Sequence, residues 1–178
     1  MAFTYHNSIY EFPTGLHSRT QEYKIFEWIE EQVSKHGSRA YSARKNNYDY
    51  ILYKDPKNAK LYQTDEVFGE AANLLKVGLD IIFLISQSGS WGCYRNLRKL
   101  MEERYEKKVR VHPVVGVYEG IHIDTTFSIV GYNKKVEKFI VVVNGNTVTP
   151  KNIPALFRGK NWAVIEFSVP VVDQVGYE

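Results

Sequence analysis

A histidine and a carboxylate stand two residues apart, at His122 and Asp124, within the string Gly120-Ile121-His122-Ile123-Asp124-Thr125-Thr126-Phe127. From Ile121 to Val130 the odd positions, Ile121, Ile123, Thr125, Phe127 and Ile129, are largely apolar, and His122, Asp124, Thr126 and Ser128 between them are polar. That alternation predicts a strand with two distinct faces. His122 and Asp124 then share a face and can cooperate. An imidazole beside a carboxylate is held in one tautomer, moves protons near neutral pH, or binds a cation. A sheet with one solvated face shows the same pattern, so alternation leaves both readings open. The one cysteine, Cys93, falls near the start of a predicted helix, where the dipole favours a thiolate; a lone cysteine is otherwise an inert packing residue.

These residues need elements to hold them. The opening through Arg19 reads as an irregular arm, rich in Pro, Gly, Ser and His. Tyr23, Phe26, Ile29 and Val33 recur at three- and four-residue spacing and predict an amphipathic helix over Thr20–His36, closed by Gly37. Ser38–Asn47 is basic and polar, a loop; Tyr50–Tyr53 reads as a short strand and Asp55–Asn58 as a turn. Asp65–Lys76 is expected to be helical, or loop then helix, ending near Gly78. Leu79–Ser86 is a continuous apolar run broken only by Asp80, as expected of a strand buried on both faces. After the break at residues 87–90, Trp91–Lys107 carries Leu97, Leu100, Met101 and Tyr105 on one stripe, a second amphipathic helix. Val109–Val117 is a strand, and Pro113 places it at an edge or bulge. Ile121–Val130 and Val136–Val143 form a hairpin-like pair around Gly131–Lys135; Asn144–Asn146 is a turn, Thr149–Phe157 short helical or irregular, and Trp162–Val169 a last strand. The order is α/β, and no residue pattern repeats visibly along it.

At 178 residues the chain suits one domain or part of a larger one. Its hydrophobic share of 44% and charged share of 24% are those of a globular protein, and a net charge of +3 does not require a polyanionic partner. One cysteine forms no internal disulfide, and the N-terminus lacks a basic, then apolar, leader. Without an apolar run of membrane-spanning length, the expectation is a soluble, cytoplasmic protein. The helix carrying Arg95, Arg98, Lys99, Arg104, Lys107 and Lys108 also carries Glu102, Glu103 and Glu106. With Arg39, Arg44 and Lys45 it offers basic charge, yet the mixture reads as a solvated face, and nucleic acid is disfavoured as a partner.

The string His122–Phe127, preceded by Arg110-Val111-His112-Pro113 and Val117-Tyr118, resembles the central motif of the glycine and inosamine-phosphate amidinotransferase family. Phe68-Gly69-Glu70-Ala71-Ala72-Asn73 resembles that family's Phe-Asp-Ala-Ala-Asn stretch, and Ser86-Gln87-Ser88-Gly89 its Ser-x-Ser-Gly turn. Val172-Asp173 fits a Val-Asp-x-Gly pattern loosely. The resemblance covers about residues 60–178, leaving residues 1–60 as an arm, helix and connecting segment poorly matched to it and residues 61–178 as the family-like unit.

The resemblance implies part of a propeller of five ββαβ modules, an incomplete α/β propeller with mixed, mainly antiparallel sheets. In such enzymes a cysteine thiolate attacks the guanidinium carbon of a donor such as arginine, and the amidino group then passes to an amine such as glycine. Guanidinium stays charged at any biological pH, so a carboxylate grips it by paired hydrogen bonds. The departing amine needs a proton from a histidine, and the carbon a soft nucleophile. By resemblance His122 is the general acid/base, Asp124 its partner and a guanidinium ligand, and Glu70 a second guanidinium ligand. No cofactor or metal is implied.

Two departures stand out. The family has Asp where this chain has Glu70, and the extra methylene moves the carboxylate by roughly an ångström, enough to disturb transition-state geometry. The family's nucleophile lies in a His-Cys stretch beyond the Val172-Asp173 match, and this sequence stops at Glu178. The expectation is an amidinotransferase-like protein inactive alone, completed by a second chain or a homo-oligomer. The competing expectation is a non-catalytic module that binds a guanidino ligand.

Overall fold

The computed structural model describes residues 2–6, 8–11, 23–41, 69–86, 88–117 and 122–168. The expected strand at Tyr50–Tyr53, the turn at Asp55–Asn58 and the Val172-Asp173 match lie outside them, as do Phe68, Gln87, Gly120 and Ile121.

Among the described residues three sheets of three strands follow one another, all built on one plan. In the first, β1 (Ala2–Tyr5) pairs antiparallel with β2 (Ser8–Glu11), helix α1 (Tyr23–Lys35) follows, and β3 (Arg39–Tyr41) returns parallel to β2. In the second, β4 (Leu74–Val77) and β5 (Asp80–Leu84) form the hairpin, α2 (Trp91–Arg104) crosses over, and β6 (Arg110–Val114) lies parallel to β5. In the third, β7 (Phe127–Asn133) and β8 (Lys138–Asn144) form the hairpin, and β9 (Trp162–Phe167) lies parallel to β8. A parallel return needs a crossover connection. In the third sheet that crossover carries a 3-10 turn, Ala155–Arg158, in place of a full helix.

The repeat that no residue pattern disclosed is therefore a repeat of topology. It also corrects the expected sheet character: every sheet is mixed, with one antiparallel and one parallel pairing, rather than mainly antiparallel. Of the opening expected as an irregular arm, the described residues of β1 and β2 are paired strands. Arg39–Tyr41, expected in a loop, is a strand docked on β2. The described part of the Asp65–Lys76 stretch, expected to be helical or loop then helix, forms a 3-10 turn, Ala71–Asn73, and then enters β4. Hairpin pairing with β5 overrides the helix propensity of that segment.

The middle module holds the others together. Every residue of β5 is buried, as its apolar run predicts, and alternate side chains serve two cores. Ile81 and Phe83 pack beneath Cys93, Tyr94, Leu97 and Met101 of α2 and against Tyr5 and Tyr10 of the first sheet. Ile82 and Leu84 face Phe127, Val141 and Val143 of the third sheet and Phe157 of its crossover turn. Burial of this kind contributes about 1.5–3 kcal/mol per large side chain. The Tyr5 hydroxyl donates to the Gly78 carbonyl at 3.1 Å, and the Tyr10 and Tyr105 hydroxyls lie 2.9 Å apart. Pro113 sits on β6, which pairs only with β5 among the described strands, so its missing N–H disrupts no ladder.

Local signals set the helix ends. Ser90 caps α2 by accepting from the Cys93 N–H at 3.1 Å. Gly37, with φ +73°, closes α1 as the Ser38 N–H returns to the Val33 carbonyl at 3.2 Å. No described helix is long and apolar enough to cross a membrane.

Candidate active site

His122 and Asp124 are not on a strand. His122 is extended and caps a 3-10 turn, Ile123–Thr125, and β7 begins only at Phe127. Thr126 closes the turn, its N–H and its hydroxyl both donating to the Ile123 carbonyl at 2.9 and 2.7 Å. Within the turn Ile123 is buried in the core and Asp124 is exposed to solvent. The expected single polar face therefore breaks up: His122 is half-buried, Asp124 exposed, Thr126 buried and Ser128 exposed. A strong side chain–backbone bond at Thr126 competes with the β ladder, and alternation could not register it.

The carboxylate against the imidazole is Glu70. His122 Nε2 lies 3.3 Å from Glu70 Oε2, Glu70 being 1% exposed and the His122 side chain 42% exposed. A carboxylate only accepts, so against Glu70 as a carboxylate the contact is a bond from an Nε2–H. Glu70 too is extended and caps a 3-10 turn, with its carbonyl accepting from the Asn73 N–H at 3.0 Å. Residues 52 apart in sequence are thus joined by two successive turns, one entering β4 and one entering β7. The longer Glu side chain, expected to disturb the site, does reach the imidazole.

A buried polar cluster lies behind Glu70. Asn73 Nδ2 donates to the Leu84 carbonyl at 3.4 Å, and Ser88 Oγ donates to Asn73 Oδ1 at 3.0 Å. Ser86 Oγ accepts from the Ser88 N–H at 3.3 Å. Gly89 is required beside them, because a Cβ there would press on Asn73 Nδ2 and the Leu84 carbonyl oxygen. The sequence offered Asn73, Ser86, Ser88 and Gly89 only as parts of similar strings, with no role. A buried Ser-x-Ser-Gly turn directly after an apolar strand was the available signal.

Cys93 is fully inside the α2 core. Burial pushes its thiol well above the ordinary range, against the helix-dipole expectation, and desolvation of a thiolate there outweighs the dipole. Among the described residues no group of three or more His, Cys, Asp or Glu is placed to hold a metal ion. Arg98–Glu102 and Lys99–Glu103 pair along α2 at 2.7 and 3.9 Å, as a mixed solvated face should.

No family model matches the chain. A Streptomyces griseus protein named as a second inosamine-phosphate amidinotransferase is 30% identical over 173 residues, 96% of this chain and 45% of that protein. The solved structure of the inosamine-phosphate amidinotransferase StrB1 of the same organism superposes with a TM-score of 0.66 at 26% identity, over 93% of this chain and 44% of that one. The chain is related to the amidinotransferases. It spans under half the length of the relatives it matches. The fold extends further, to the dimethylarginine dimethylaminohydrolase of Pseudomonas aeruginosa, with a TM-score of 0.56 at 14% identity over 92% of this chain. As an amidinotransferase relative the chain holds its histidine and its acidic residue on adjacent turns of two modules.

Proposed function

We propose that the chain carries the proton-transfer and guanidinium-binding half of an amidino-transfer site. The 3.3 Å contact between Glu70 and His122 carries this reading, because it joins the two segments whose residues resemble the amidinotransferase motifs. His122 supplies the proton to the departing amine as the bond from the guanidinium carbon to the donor nitrogen breaks. Glu70 holds the imidazole and brings negative charge to the pocket; Asp124, open to solvent on the same turn, grips the guanidinium. Residues 61–178 form the site-bearing part and residues 1–60 support it.

The sulfur nucleophile of covalent amidino transfer comes from another polypeptide segment, since the one cysteine of this sequence is buried in the α2 core. The third sheet is suited to receive such a segment. Its face opposite the core, with Val142, Ile165 at 50% exposure and Phe167 at 63%, corresponds in strand parity to the β5 face that packs on the third module. A further module there continues the stack towards a propeller. The buried thiol also favours a second reading, a module that binds guanidino compounds without turning them over.

Calorimetry with arginine tests the pocket. Binding is expected, weakened by roughly ten-fold or more in Asp124→Ala, the range of a charge-assisted hydrogen bond, and weakened in His122→Ala. Affinity unchanged by both substitutions removes the reading. Ornithine released from arginine and glycine by the chain alone would overturn the requirement for a second segment.

A further inference from the structure

We infer that Asn73 is a positioning residue that sets Glu70 against His122, acting through the buried bonds to Leu84 and Ser88. The inference rests on the Glu70–His122 pair proposed above and deepens it. Asn73 is fully buried and ends the turn that Glu70 begins. Its amide spans the Leu84 carbonyl at 3.4 Å and the Ser88 hydroxyl at 3.0 Å, and its own N–H closes the turn onto Glu70 at 3.0 Å. One end of that side chain is therefore tied to the last residue of β5 and the other to the turn that follows it, which holds the Glu70 turn against pivoting.

Leu84 connects this clasp to the other half of the pair. Its carbonyl receives Asn73, while its side chain packs in the core that contains Ile123, the first residue of the turn His122 caps, and Phe127, just after that turn. One residue of β5 thus sets both sides of the contact. A carboxylate that is 1% exposed cannot recover in water what it loses at His122. Small rotations of the Glu70 turn lengthen a bond that is already 3.3 Å.

The test is imidazole nitrogen NMR on the full chain, at a pH where histidines are neutral, with His122 assigned by its loss in His122→Ala. The wild-type ring is expected to carry its proton on Nε2, and Glu70→Ala to release it to a mixture of tautomers. Asn73→Ala is expected to lower the Nε2-H to Nδ1-H ratio by about three- to ten-fold, the span of one hydrogen bond of ordinary net strength. Ser88→Ala moves it the same way by less, and the double variant no further than Asn73→Ala. His112, held by Asp80 at the opposite end of β5, stays unchanged and reports that the fold is intact. His122 signals that remain wild-type in Ser88→Ala and Asn73→Ala, or in Glu70→Ala, overturn the inference, as does a His112 signal that moves with them. If Asn73→Ala does not fold, Ser88→Ala decides alone, since it removes one hydroxyl. No arginine enters this experiment. A shifted ratio therefore stands even where the chain binds no guanidino compound, and arginine binding with an unshifted ratio sinks the positioning role by itself.

Discussion

Glu70 and His122 occupy the same place in successive modules. Each is an extended residue capping a 3-10 turn at a module's entrance, with φ −121°, ψ 146° for Glu70 and φ −123°, ψ 145° for His122. Two copies of one backbone device thus supply an acid and a base, and packing of the second module on the third brings them to 3.3 Å. The near-identical torsions mark the two turns as equivalent, although no sequence repeat surrounds them.

Restoring the aspartate found in the amidinotransferase stretch is expected to harm this protein. Glu70→Asp withdraws the carboxylate by roughly an ångström from an imidazole it only just reaches, at a side chain that is 1% exposed. A loss of about 1–3 kcal/mol in urea-unfolding stability is expected. Unchanged or increased stability in Glu70→Asp contradicts the geometry described.

Gly89→Ala places a methyl group against Asn73 Nδ2 and the Leu84 carbonyl. One of the two must give way, and both belong to the Asn73 clasp. The expected cost is about 1–3 kcal/mol, as for other insertions into a packed interior. Equilibrium denaturation measures it, and a change below about 0.5 kcal/mol would show that the clasp yields freely.

Cys93 should resist alkylation. The thiolate is the reactive form, and burial pushes its formation well above the ordinary range. In native protein the iodoacetamide rate at mildly alkaline pH is expected to be at least roughly ten-fold below that in denaturant. The sign for stability follows. A thiol harder to ionise when folded stabilises fully below its unfolded pKa, about 8.5, and that contribution is lost as pH rises from there towards the folded value. Tyr10, raised first by burial and then by its bond to Tyr105, adds a loss of the same sign above about 10. Stability should therefore fall on the alkaline side, and less steeply in Cys93→Ala. Equal slopes in the two proteins would dismiss the thiol's part.

Asp80 anchors the far end of β5, accepting from Arg110 at 2.8 Å and lying 2.6 Å from His112 Nε2. Asp80 is nearly buried and Arg110 is 65% exposed. Asp80→Asn is expected to cost about 1–3 kcal/mol, and Arg110→Ala clearly less, because solvent screens the exposed partner. Thermal melts separate them. Arginine affinity should be unaltered in both, since this cluster stands at the end of β5 away from Glu70.

Residue order alone settled a good deal. The apolar run containing β5, the amphipathic stripes of α1 and α2, the glycine stop at Gly37 and the hairpin of β7 and β8 were all legible, because local periodicity and turn chemistry act over a few residues. His122, Asp124 and Glu70 were found by the resemblance of their strings. Tertiary structure decided which of them meet. The alternation around His122 predicted a strand with Asp124 as the neighbour. Instead the Thr126 bonds wind the segment into a turn, Asp124 faces solvent, and a carboxylate 52 residues away takes the contact. The modular repeat and the Asn73 clasp were likewise hidden, for they consist of pairings between distant segments, and no short-range pattern encodes a distance through the core.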